Sequence, residues 1–447
     1  MISELIKKLK NSINFFRLSF RSRYFGFVQG HSYITNSEMR EIKILIGKND
    51  DESENIISSF EIGFSEIIGE GKSVSFAAAR MAFFSLMKEL KIGSGDEVIL
   101  QAFNCSVMVN AIWRIGAIPV FADIDPKTFG SSEKEIEKKI TSRTKMIVAQ
   151  HSFGIPCKIE GIVKLAKSHN IFLLEDCALS LGSTISGISI GDWGDASLFS
   201  TDHSKPLNTF IGGLIYSKNY KLIKRLQQSR ATIDNLSVRH QRKIFEQIIF
   251  ERKYFNTEKL GIGSFISYCK VVLTKLKISN WSSPVLTDDY VKPNENNQAN
   301  YPYPAKLPSF LAKLGLYELN RWNHEKENRV ALLKAYLHVC EKSNCNQFLP
   351  LAYFDTSLQI VPLRFVLSHP ESDDLRKKMA SNVDVEGFWF LKPIVACERS
   401  SDLGYVDGSC VIAEKAGKEI INFPCTLDHY YDSNLLGVLK NALTSHN

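Results

Sequence analysis

Between residues 70 and 217, short apolar runs alternate with stretches in which apolar side chains recur every third or fourth position. The runs at 97–103, 118–124, 145–150, 171–176, 196–200 and 213–217 have the length and continuity of buried strands. The stretches at 77–91 and 161–168 have the period of helices that cover one face of a sheet. This alternation predicts an α/β domain on a largely parallel sheet. Ligands of such sheets sit beyond the carboxyl ends of the strands, which singles out Asp176 and Ser200 as strand-end residues.

Outside that region the pattern changes. Residues 1–28 place Ile2, Leu5, Ile6, Leu9, Ile13, Phe16 and Phe20 at three- and four-residue steps, with six basic side chains against the single acid Glu4. They predict an amphipathic helix that packs on the protein body or a second subunit, or that makes peripheral contact with an anionic membrane. Residues 218–300 are charged and aromatic, with a helical stretch at 239–252 and a polar tract over 287–300 that reads as a linker or arm. Helical period returns over 307–337, after which short strands and helices mix. The expected division is a basic extension over 1–50, a large domain over 51–260, a linker or arm over 261–305 and a smaller C-terminal α+β domain over 306–447.

Composition narrows the function classes. A chain of 447 residues with 44% hydrophobic side chains can fill two cores. The net charge of +7 is dispersed among acids rather than gathered in a stripe, which argues against nucleic-acid binding. Nine cysteines without a close CxxC pair, several in apolar contexts, read as buried thiols of a reducing compartment, and no metal site is expected. No charge-free apolar run reaches the roughly 18 residues of a membrane span, so the expectation is a soluble, cytoplasmic protein.

The chemistry concentrates at two positions. A hydrophobic strand ends in Glu175-Asp176, and the downstream loop FSTDHSKPLN (199–208) carries Lys205. A loop lysine able to hold an aldehyde as a Schiff base, paired with a strand-end aspartate able to keep a pyridine nitrogen protonated, is the requirement of pyridoxal 5'-phosphate (PLP) chemistry. His203, two residues before the lysine, is a possible further proton carrier.

The segments GSGDEVIL (93–100), GAIPVFADID (116–125), HSFG (151–154), LEDCA (174–178), GDWGD (191–195), Phe199-Ser200 with Lys205, and Gly212-Gly213 occur in one order. In that order and spacing the chain resembles the DegT/DnrJ/EryC1/StrS family of PLP-dependent nucleotide-sugar aminotransferases, over about residues 70–217 and more faintly over 307–337 and from 421 onward. The resemblance implies a type I PLP-dependent transferase fold, with a large mixed-sheet α/β/α domain and a smaller C-terminal α+β domain. It implies Lys205 as the Schiff-base residue, Asp176 as the pyridinium partner and Ser200 as a phosphate ligand. Ala79 and Arg80 fall where a helix opens toward the same phosphate. His151 falls where it would contact the cofactor ring or its hydroxyl. The implied reaction moves an amino group, from glutamate, to a nucleotide-linked keto sugar for polysaccharide, antigen or secondary-metabolite synthesis, in a homodimer.

Three departures bear on this. Cys105 stands where an aromatic ring commonly stacks on the cofactor, so Phe103 is the ring expected to take that role. Leu179 replaces a common glutamine, and 230–300 lacks the segment from which a neighbouring subunit reaches the phosphate. A sugar dehydratase, which carries histidine in place of the lysine, and a non-catalytic scaffold are the alternatives.

Overall fold

The computed structural model describes residues 23–278, 283–293, 299–426 and 433–444. Most of the segment expected to form the amphipathic extension, residues 1–22, lies outside the described residues, as does part of the expected arm. Tyr24, Phe25 and Phe27, at the end of that segment, are buried in the body of the protein.

Seven strands form the main sheet: β1 (Lys72–Phe76), β2 (Glu97–Gln101), β3 (Ile118–Ala122), β4 (Thr144–Gln150), β5 (Phe172–Asp176), β6 (Ala196–Ser200) and β7 (Gly213–Ser217). Their order is β1-β7-β6-β5-β4-β2-β3, and only β7 runs against its neighbours. Strands β2 and β7 are buried along their whole length, which is why these segments read as apolar runs rather than as alternation. The apolar run at 97–103 stops being strand at Gln101 because Phe103 takes a left-handed backbone, φ 72°, and turns the chain.

Helices close both ends of the sequence around this sheet. Helix α1 (Asn36–Ile44) begins with a reciprocal cap between Thr35 and Glu38, and α2 (Asp51–Glu66) begins with Asp50 accepting the Ser53 N–H at 2.9 Å. Helices α3 (Ala79–Glu89), α4 (Ser106–Ile115) and α5 (Ile159–Ser168) are the crossovers between strands. Beyond β7, α6 (Tyr220–Ala231), α7 (Val238–Tyr254) and α8 (Leu260–Lys275) occupy the region that is hardest to read in the sequence.

The 34-residue helix α9 (Ser309–Lys342) joins the two ends of the fold. Near its start Gly315 lies against Phe60 of α2 so closely that a Cβ would sit 2.3 Å from the ring. Near its end Tyr336 stacks on Phe365 at 4.8 Å, and its hydroxyl donates to the Pro424 carbonyl at 2.8 Å. Those two partners belong to the antiparallel pair β8 (Arg364–Ser368) and β9 (Ile420–Pro424). Residues Ile394–Val395 pair in parallel with Asn104–Cys105, which draws the C-terminal part onto the end of the main sheet. The mixed α/β sheet with an added C-terminal α+β part is the architecture expected from the sequence.

Candidate active site

A cavity of about 590 Å³ lies beyond the carboxyl ends of β4, β5 and β6. Asp176 and Ser200 enter it as the last residues of β5 and β6, and Ala79, Arg80, Cys105, His203 and Lys205 share its wall.

Lys205 sits in a loop whose ends are stitched together. The Thr209 N–H donates to the Thr201 carbonyl at 2.8 Å, the two threonine hydroxyls meet at 2.6 Å, and the Asn208 amide donates to the carbonyls of Gln29 and His203 at 3.1 and 3.2 Å. The amine therefore starts from a fixed backbone. Its Nζ lies 4.6 Å from the centre of the Trp389 ring. Burial pulls the amine below its ordinary value, while Asp202, Cys105 and Asp176 oppose the shift.

Asp176 is buried, and the Ala178 N–H donates to its Oδ1 at 3.0 Å. Burial pushes its carboxyl up; the Ala178 N–H, Lys205 and His151 hold it back. Burial also works to raise Asp202, but His203, Lys205, the Ser204 N–H and Arg80 together bring it below its usual value. Lys205 thus feels the charge of two acids, one on its own loop and one on β5.

The start of α3 supplies the third part. Ala78, just before the helix, offers no side-chain cap, and residues 78–80 line the cavity. Opposite, Gly213 opens β7 so close to the helix that a Cβ there would lie 2.3 Å from the Ala79 nitrogen. An uncapped helix start with free space and positive dipole suits an anion such as a phosphate. Ser200 accepts the Asp202 N–H at 3.4 Å, and its hydroxyl lies on the same wall. Arg80 is buried; its Nη2 donates to the Leu286 carbonyl, and its guanidinium lies 5.2 Å from the Tyr290 ring.

Two residues expected at the site are placed elsewhere. Phe103 does not line the cavity; the turn after β2 sends it into a buried cluster with Phe129, Phe153 and Phe390, their ring centres 5.1–6.1 Å from its own. His151 is fully buried beside Asp176 rather than on the cavity wall. Its Nδ1 accepts the Cys157 N–H at 3.0 Å, so its Nε2 carries the proton and donates to Glu175 at 3.2 Å. His151, Glu175 and Cys177 gather three ligand-type atoms. Glu175 already accepts the N–H groups of Gly191, Trp193 and Gly194 at 2.7–3.0 Å, so this group holds the 191–194 turn against β5.

Sequence reasoning missed Trp389, Arg364, Val285, Leu286 and Tyr290, all on the cavity wall. The aromatic run Gly387-Phe-Trp-Phe390 is the one signal that marks any of them.

Beneath the Lys205 loop, His31 Nε2 donates to the Asn208 carbonyl at 2.9 Å, and the Asn208 N–H donates to Glu318 Oε2 at 3.2 Å. His31 and Glu318 approach at 3.9 Å but are not an ion pair. Burial pulls His31 down to about 4 and pushes Glu318 up to about 8, so both are neutral at neutral pH. The folded state holds a proton on Glu318 that the unfolded chain releases near 4.5. Stability from this group is therefore complete below 4.5 and falls as pH rises toward 8. Glu318→Gln is expected to flatten that decline and raise stability at pH 8 by about 1–3 kcal/mol; urea unfolding of both chains at pH 5 and pH 8 checks it.

The fold is that of solved sugar aminotransferase structures. S. venezuelae DesV superposes with a TM-score of 0.67 at 19% identity over 95% of this chain and 99% of that one. A putative sugar aminotransferase from Streptococcus pneumoniae in its PLP form gives 0.65 at 19% identity over 92% and 97%. Residues 33–254 match the DegT/DnrJ/EryC1/StrS aminotransferase family. Among curated relatives, it is 39% identical to the GDP-perosamine synthase of Escherichia coli O157:H7 over 171 residues, 38% of this chain and 47% of that one. It is 33% identical to a UDP-N-acetyl-3-dehydro-alpha-D-glucosamine 3-aminotransferase of Acidithiobacillus ferrooxidans over 195 residues, 42% of this chain and 53% of that one. The matches span about half the length of these relatives.

Proposed function

We propose that this protein is a PLP-dependent aminotransferase that moves an amino group from glutamate to a nucleotide-linked keto sugar. The observation that carries the proposal is the convergence of Lys205, Asp176 and the uncapped start of α3 on one cavity. These are the three features the cofactor needs: an amine for its aldehyde, a carboxylate for its ring nitrogen and N–H donors for its phosphate. The residues fit the group.

PLP, when bound, supplies an electron sink for a bond broken at the donor's α-carbon. The Lys205 Nζ would hold the cofactor's aldehyde, and the same amine would serve as the base that takes the proton from the donor's α-carbon. Asp176 keeps the ring nitrogen protonated. The stitched 201–209 loop keeps Nζ in reach throughout, and Ser200 with the 78–80 turn holds the phosphate end. The names of the relatives support a nucleotide-linked sugar as acceptor, used for polysaccharide amino sugars. On this reading the enzyme works in the cytoplasm as a homodimer. No helix among the described residues is long and apolar enough to cross a membrane.

The test is the absorbance spectrum of the purified protein mixed with PLP, followed by borohydride reduction and peptide mapping. A visible band and a label on Lys205 are expected, and glutamate should discharge the band. Absence of both band and label sinks the proposal.

A further inference from the structure

Helix α8 is buried only in its first turn. Leu260, Gly261 and Gly263 are covered, and every later residue of the helix is exposed or half-buried. Its sequence nevertheless reads LGIGSFISYCKVVLTK, with two lysines and no acid. Ile262, Ile266, Cys269, Leu273 and Leu276, the last just past the helix end, follow one another at steps of four and three, which lines them up on one side. Ile262, Leu273 and Leu276 are 39%, 40% and 62% exposed. An apolar stripe left facing water over the length of a helix marks an interaction surface.

The charges around the stripe say what kind of partner it fits. Lys259, Lys270 and Lys277, eleven and seven residues apart, form a row along its edge. Between residues 252 and 287 the only acid is Glu258, against the basic side chains Arg252, Lys253, Lys259, Lys270, Lys275 and Lys277. The N-terminal stretch arrives at the same place. The Tyr24 N–H donates to the Thr257 carbonyl at 3.0 Å, three residues before α8 begins. Residues 1–22, outside the described residues, carry Lys7, Lys8, Lys10, Arg17 and Arg21 against Glu4. Two basic, acid-poor stretches therefore meet at the foot of α8, where they repel each other and attract the same anion.

A second copy of the chain fits poorly. A two-fold contact through the stripe would set the lysine row against itself with no acid on either helix. A lipid surface of negative charge meets both demands: the stripe enters its apolar layer, and the lysines reach back along their stems to the headgroups. The helix has 16 residues and does not qualify as a span, so it lies in the surface rather than crossing it.

We propose that the outer face of α8 seats this protein on an anionic phospholipid membrane. The inference stands independently of the aminotransferase reading, but it bears on the same site. Leu260 and Ser264, in the first turns of α8, line the cavity, so the helix that rests on lipid also forms part of the cavity wall.

The experiment floats the full-length protein with vesicles of phosphatidylcholine alone or of phosphatidylcholine mixed with phosphatidylserine. Binding is expected to the mixed vesicles only, and to weaken as salt is raised. Ile262→Glu with Leu273→Glu should lower the partition by at least about thirtyfold. Lys275→Gln with Lys277→Gln should lower it by about thirtyfold on the mixed vesicles; this pair leaves the apolar stripe intact, so it carries the test if the first pair does not fold by circular dichroism. Failure of the wild-type chain to float with either vesicle overturns the proposal. Undiminished flotation of both folded variants also overturns it, and places the lipid contact elsewhere on the chain. If Ile262→Glu with Leu273→Glu instead halves the mass in solution while leaving flotation unchanged, the face is an interface between two copies and the proposal falls.

Discussion

Lys205→Ala is expected to lose single-turnover transamination by at least about a thousandfold while still folding. The loop does not depend on the side chain. Its closure is made by Thr201, Thr209 and Asn208, and the Lys205 amine contributes a contact over Trp389 that alanine gives up at little cost. What disappears is the nucleophile and the proton carrier. Single-turnover discharge of the glutamate half-reaction, followed optically, is the measurement; full activity in the variant sinks the assigned role. The pH profile of cofactor capture gives an independent reading. Burial lowers the Lys205 amine, so more of it is neutral at a given pH than of an exposed lysine. Capture of PLP should rise with pH through a midpoint below 10.5, and Asp202→Asn should move that midpoint lower by removing a charge that opposes the shift.

Asp176→Asn is expected to cut turnover by about a hundred- to a thousandfold, the size of effect seen when one preorganised electrostatic partner is removed. The amide oxygen can still accept the Ala178 N–H that Asp176 accepts at 3.0 Å, so the fold and the end of β5 should persist. The ring nitrogen would lose its negative partner, and with it the proton that makes the ring an electron sink. The expected signature is split: the Lys205 label survives, and the rate of the step at the donor's α-carbon collapses. Loss of the label together with the rate would place Asp176 in binding instead.

The separation of these two effects follows from how legible each part was. The strands that deliver Asp176 and Ser200 were readable because a sheet buried on both faces writes itself as apolar runs, and the predicted 196–200 and 213–217 coincide with β6 and β7. Phe103 and His151 were misplaced because sequence distance does not encode side-chain direction. One left-handed residue turns Phe103 away from the cavity, and a hydrogen bond from the Cys157 N–H holds His151 in the layer behind it. Trp389 and Arg364 come from more than 150 residues downstream of Lys205, and no local pattern announces a contact of that range. Within 218–300 the helical stretch read at 239–252 is α7, whereas α8 escaped reading because apolar side chains such as Ile262, Val271 and Leu273 stand on its exposed side and blur the period on which helix reading depends.

Helix α9 touches both walls of the cavity at second hand. Glu318 accepts the N–H of Asn208 beneath the Lys205 loop, and Arg329, three turns on, donates to the Pro362 carbonyl at 3.1 Å, two residues before Arg364. The stretch between them therefore works as a ruler. Adding or removing one residue there would slide one end by about 1.5 Å and swing it by about 100°, displacing the two ends relative to each other although neither is touched. The helix can accept changes of side chain on its outer face, but its length is fixed by the distance between two cavity-wall groups that it does not itself carry.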